Sequence, residues 1–179
     1  MTHESATLIT TKLHRPLVTG DHVERPRLLQ QLQRGLSQPL TLVCAGAGFG
    51  KTTLVSCWLA KNDERATIND EADTAPTPGL HRSSFILPRF PSAWLSLDAQ
   101  DSDLAGFVTY LVAALRTVFP DACAATLDLI HAQFEPPSEL LAATLLNEIA
   151  LLPQRFVLVL DDFGAIQGEA VPELLNRLL

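Results

Sequence analysis

The sequence predicts an α/β fold with a mostly parallel sheet, and three observations carry that prediction. Short apolar runs rich in β-forming residues alternate with longer stretches whose apolar side chains recur at helical spacing. Two of the runs, Pro39–Cys44 and Phe156–Leu160, are nearly continuous rather than alternating, as in strands covered on both faces. The 179 residues are 47% hydrophobic, enough to bury a core of one domain.

Residues 1–24 are polar, with Pro16 and Gly20 interrupting any period, and read as a lead-in segment. Residues 25–179 then form the domain. "RPRLLQQLQRGL" from Arg25 places Leu28, Leu29, Leu32 and Leu36 on one helical face, with Pro26 suited to the first turn. "PLTLVC" follows as a buried strand, then a glycine loop, then a helix from Lys51 marked by Leu54, Val55, Trp58 and Leu59. Residues 62–91, rich in charge, Thr and Pro, read as a flexible surface insertion, either merely solvated or a partner-docking loop. "SAWLSLD" from Ser92 is a second strand, and Asp101 or Ser102 caps the helix carrying Leu104, Phe107, Val108, Leu111, Leu115 and Val118. Helices over about 122–134 and 138–151 precede the last strand, which ends in Asp161-Asp162.

Composition excludes several functions. A net charge of −7 opposes nucleic-acid binding by this chain alone, since that footprint is basic. Cys44, Cys57 and Cys123 lack metal-ligand or disulfide spacing and read as small buried hydrophobes of a reducing compartment. No run is long enough for a signal peptide or a membrane span, so a cytoplasmic protein with no membrane partner is expected. The five histidines are scattered without ligand spacing, and Trp58 and Trp94 fall on core patterns. Asp98 and Asp101 read as turn and cap residues rather than ligands.

"CAGAGFGKTT" carries the chemistry. Closely spaced phosphate charges are bound by backbone N–H groups converging at a helix amino end, which needs glycine where a Cβ would obstruct. Gly46, Gly48 and Gly50 supply that freedom, and Ala47, Phe49 and Thr53 complete the candidate binding loop. Lys51 would reach the β- and γ-phosphates of ATP and assist catalysis, while the Thr52 hydroxyl would ligand Mg²⁺. Ala45 stands where the strict pattern has its first glycine; it supplies no side-chain ligand and fits if its φ is negative. Asp161 suits the magnesium shell and Asp162 the base that orients water. Taken singly, each motif also has a plain reading, as a glycine turn or as strand-ending acids.

In order, "TKLHRP", "VERPRLLQQL", "CAGAGFGKTTL", "AWLSLDAQDSD", "FVTYLVAAL" and "LVLDDF" resemble the amino-terminal part of the MalT-like large ATP-binding regulators of the LuxR family, in the STAND class of P-loop NTPases. The resemblance implies a three-layer P-loop sandwich of ASCE/STAND type, incomplete here, because the strand between the Lys51 and Asp161 strands lies later in the family. It implies Arg25 near the adenine, ATP and Mg²⁺ as cofactors, and an ATPase switch that can self-associate in its ATP state. DNA would be bound only through a carboxy-terminal domain outside this chain, and an inducer through helical repeats also outside it. A small non-glycine residue at position 45 is a family form, whereas Gly164 replaces a frequent histidine. On this reading the chain is a fragment or a truncated gene, marginally stable alone. A stand-alone P-loop ATPase or kinase, and a nucleotide-binding module without turnover, are the alternatives.

Overall fold

A computed structural model describes residues 8–18, 20, 22–71, 90–132 and 136–179, with the side chains of 64–71 left out. Two compact units divide the chain, one from Met1–Arg15 with Pro91–Leu179 and one from Pro16–Phe90. This division differs from the expected boundary after residue 24. Residues up to Arg15 go with the carboxy-terminal unit because Lys12 is ion-paired there to Asp98 and Asp101, each at 2.8 Å.

In the larger unit, β1 (Ser92–Ser96) pairs in parallel with β2 (Val157–Asp161), and the register sets Ser92 against Val157 and Ser96 against Asp161. Four helices follow the chain around this pair: α3 (Leu104–Arg116), α4 (Ala124–Ala132), α5 (Ser138–Ala150) and α6 (Ala170–Leu178). α3 packs on β1, α4 on α5, and α6 on both α5 and α3. Phe107, Val108, Leu111 and Leu115, four residues of the expected stripe, are fully buried with Leu95, Leu141, Leu145 and Val171. Burying one such side chain contributes about 1.5–3 kcal/mol. The cap of α3 is Asp103, which accepts from the Gly106 amide at 2.7 Å. Asp101 and Ser102 belong instead to a 3₁₀ turn, Ala99–Ser102, capped by Asp98.

The smaller unit contains α1 (Pro26–Gly35), with Pro26 in its first turn, and α2 (Lys51–Glu71). Trp58 is buried beside Phe90, their ring centroids 5.5 Å apart, and its indole N–H donates to Gln33 at 3.2 Å.

Four further expectations are corrected. Pro39–Cys44 forms no strand: Leu40 is 59% and Leu42 73% exposed, and the run joins no ladder among the described residues. Apolar β-formers alone do not make a strand, because the backbone N–H and C=O groups also need a partner. β2 is half-buried throughout rather than buried, as a strand hydrogen-bonded along one edge. Residues 62–71, expected as the start of a loop, continue α2; "NDERATINDE" contains neither Gly nor Pro to stop it, and residues 72–89 lie outside the described chain. Cys44 is exposed, whereas Cys57 and Cys123 are buried as expected.

One interaction between helices reports on acid stability. Cys123, with φ +56°, leads into α4, whose first-turn amides need an acceptor from outside the helix. Glu148 of α5 supplies it, accepting from the Ala125 amide at 2.9 Å, the Thr126 amide at 2.8 Å and the Thr126 hydroxyl at 2.6 Å. Burial pushes the Glu148 carboxyl up, but these donors and nearby Arg116 outweigh it and hold the group below its ordinary 4.5. Burial also raises the Cys123 thiol to about 11, with the Glu148 charge adding to the shift, so that it stays protonated and inert. A depressed carboxylate contributes stability that is complete above pH 4.5 and is lost as pH falls through its lower folded-state value. Glu148→Gln should therefore cost about 1–2 kcal/mol at pH 7 in urea unfolding, with the difference from wild type shrinking below pH 4. A constant difference across that range would contradict this assignment.

Candidate functional site

The glycine loop lies wholly in the smaller unit. Its two left-handed positions are Gly48 (φ +78°) and Gly50 (φ +76°), where an L side chain would be strained. Ala45 needs no such freedom, since Cys123 and Asp162 are the non-glycine residues with positive φ among those described. The Phe49 amide donates to the Gly46 carbonyl at 3.4 Å, closing a turn. A Cβ on Gly46 would lie 3.1 Å from the Phe49 ring, so glycine there lets the ring fold back. The Gly50 carbonyl then accepts from the Leu54 amide at 2.9 Å and starts α2. Amides of a helical first turn have no intrahelical acceptor, and Lys51, Thr52 and Thr53 occupy that turn.

Two cations tie the loop. Lys51 Nζ turns back to donate to the carbonyls of Ala45 at 3.0 Å and Gly46 at 3.1 Å, closing the loop into a ring. Arg25, the residue leading into α1, donates through Nη1 to the Phe49 carbonyl at 3.1 Å. Both cations address carbonyl oxygens, which keeps positive charge over the loop. Beside it lie a cleft of about 160 Å³, lined by Arg25, Gly50, Thr53, Leu54, Cys57 and Lys61, and another of about 260 Å³, lined by Arg25, Cys44, Ala45, Phe49, Lys51 and Leu54. Lys61 pairs with Glu24 at 2.8 Å at the edge of the first. Cys57 was read as a core thiol and Lys61 was not weighed; their positions six and ten residues beyond Lys51, on the helical face of Thr53 and Leu54, were the available signal.

The acidic pair belongs to the larger unit. Asp161 ends β2, half-buried, with its carbonyl accepting from the Leu97 amide at 3.0 Å. Asp162 is exposed and left-handed (φ +56°, ψ 33°), and its carbonyl accepts from the Ala165 amide at 2.9 Å as the chain turns out of the strand. Asp is one of the few residues that tolerate this conformation. The structure thus brings together Arg25, the loop and Lys51–Thr53 in one unit, and Asp161 with Asp162 in the other.

Within the smaller unit the first-turn amides of α2 and the Lys51 ammonium are donors of the kind that an anion such as phosphate accepts from. No group of three or more His, Cys, Asp or Glu side chains suited to a metal occurs among the described residues, nor does a helix long and apolar enough to cross a membrane.

No profile of a known protein family matches the chain. Individual relatives do. The chain is 30% identical over 173 residues to the HTH-type transcriptional regulator MalT of Klebsiella pneumoniae subsp. pneumoniae, 30% over 172 residues to that of Yersinia enterocolitica, and 29% over 172 residues to that of Cronobacter sakazakii. Each match covers 96% of this chain and 16% of the relative. The motif order, the mixed α/β architecture and this match agree: over 96% of its length the chain is homologous to part of the MalT-type HTH transcriptional regulators.

Proposed function

We propose that this chain is the ATP-binding part of a regulator of transcription, in which ATP binding and hydrolysis switch the protein between states. The observation that carries the reading is the closed loop between Ala45 and Lys51, with left-handed glycines at 48 and 50 and a lysine at the first helical position. A triphosphate offers Lys51 Nζ stronger partners than two neutral carbonyls, because a full negative charge adds Coulomb attraction to the charge-assisted hydrogen bond. The first-turn amides of α2 and its helix dipole add to that attraction. Arg25 and the adjoining clefts would take the base and sugar. Thr52 and Asp161 are proposed as Mg²⁺ ligands, and Asp162 as the base that orients and deprotonates the attacking water. DNA reading and inducer sensing would belong to other parts of the regulator, consistent with a net charge of −7 here, and the protein would work in the cytoplasm. ATP could shift the switch only by its differential affinity for the two states.

Lys51→Ala should weaken MgATP binding by at least about a hundredfold, the loss of a charge-assisted contact to phosphate, read by calorimetry. Unchanged affinity would remove the loop assignment. Asp162→Asn should retain binding and lose turnover; if wild type binds but never hydrolyses, the chain serves a binding module instead. Gly48→Ala tests the backbone alone, since an added Cβ meets nothing within 4 Å. It should cost about 1 kcal/mol in chemical unfolding, through handedness rather than contact.

A further inference from the structure

We propose that the amino-terminal segment Thr10–His14 is a strap that positions the loop carrying Asp162, with Lys12 and Ser102 as its two positioning residues; this rests on the reading of Asp162 given above. The lead-in contains a 3₁₀ turn, Thr10–Leu13, packed against β1. Lys12 extends from it into the turn that follows β1, and only 11% of its side chain is exposed. Its ammonium meets both carboxylate oxygens of Asp101 at 2.8 Å and Asp98 Oδ2 at 2.8 Å. It also stands 4.8 Å over the ring of Tyr110, whose hydroxyl accepts from the Ile9 amide at 3.2 Å. Asp101 itself is 2% exposed, and its Oδ2 accepts from the Asp98 amide at 2.8 Å. Lys12 thus clamps a turn whose two carboxylates already cap each other's backbone.

The shoulders of that turn hold both ends of the acidic loop. On one side the Leu97 amide donates to the Asp161 carbonyl at 3.0 Å. On the other, Ser102 Oγ accepts from the Gln167 amide at 2.9 Å while donating to the Ala99 carbonyl at 2.8 Å. Between these anchors Asp162 sits in its left-handed conformation and the Phe163–Ala165 turn follows. A strained residue keeps its geometry only where its surroundings over-determine it, and here the two anchors do so. A buried ion pair is a poor way to gain stability but a good way to specify one arrangement. Burial opposes the charge on Lys12, yet the two aspartates hold its pKa above the ordinary 10.5, so the clamp stays charged throughout the physiological range.

The test uses the full chain with Ser102→Ala, Lys12→Met and Lys12→Arg, read by amide hydrogen exchange, ATP affinity and turnover. Ser102→Ala should raise exchange at the Ile166–Gly168 amides about tenfold, the loss of one hydrogen bond, with the α3 core unchanged. Turnover should then fall while ATP affinity holds, and Lys12→Met should reproduce both effects, with Lys12→Arg restoring them. Unchanged exchange around Gln167 in Ser102→Ala overturns the strap, as does a Lys12→Met chain that loosens that loop no more than the core. If Lys12→Met does not fold, the milder Ser102→Ala decides. If no version hydrolyses ATP, the reading of Asp162 fails, and exchange still decides the strap.

Discussion

The parallel ladder between Ser92–Ser96 and Val157–Asp161 is the constraint on which the larger unit depends. Parallel strands end at the same side, so the register that sets Ser96 against Asp161 also brings the Asp98–Ser102 turn beside the loop that begins at Asp162. Because a parallel pair cannot be joined by a hairpin, the sixty residues from 97 to 156 must leave and return, and they do so as α3, α4 and α5. The buried faces of α3 and α5 then meet β1 and α6, forming a core of Leu95, Phe107, Leu111, Leu141, Leu145 and Val171. Local caps by Asp98 and Asp103 are joined in this unit by polar contacts across elements, Glu148 to the amides of α4 and Lys12 to the turn after β1.

In the smaller unit the governing constraint is backbone handedness. Left-handed residues at 48 and 50 let the chain reverse within a few residues and enter α2 with the Lys51 side chain free to fold back over the loop. Lys51 and Arg25 occupy three carbonyls, those of Ala45, Gly46 and Phe49.

The sequence made α1, the start of α2, α3, α4, α5, β1 and the chain position of β2 legible, because each rests on periodicity and local breakers such as Pro26, Pro120 and Pro137. The glycine loop was legible for the same reason: positive φ at Gly48 and Gly50 is a local demand that only certain residues meet. Pro39–Cys44 was misread, since an apolar β-rich run specifies a tendency to pair and not a partner. The continuation of α2 was missed because charge and threonine resemble a loop, although nothing in residues 62–71 breaks a helix. Lys12 was invisible as a functional residue, being one charged side chain in a polar lead-in whose partners lie 86 and 89 residues away.

Residue chemistry alone therefore settled what is local: most of the helices, the runs that became β1 and β2, the glycines that turn the loop and the lysine that follows them. Tertiary structure decided everything that depends on a partner distant in sequence. It gave Asp98 and Asp101 to Lys12, Ser102 to Gln167, Glu148 to the amides of α4, and no strand neighbour to Pro39–Cys44 among the described residues. The physical reason is that φ preferences and side-chain periodicity act within a few residues, whereas hydrogen-bond satisfaction and burial are properties of whichever chains meet.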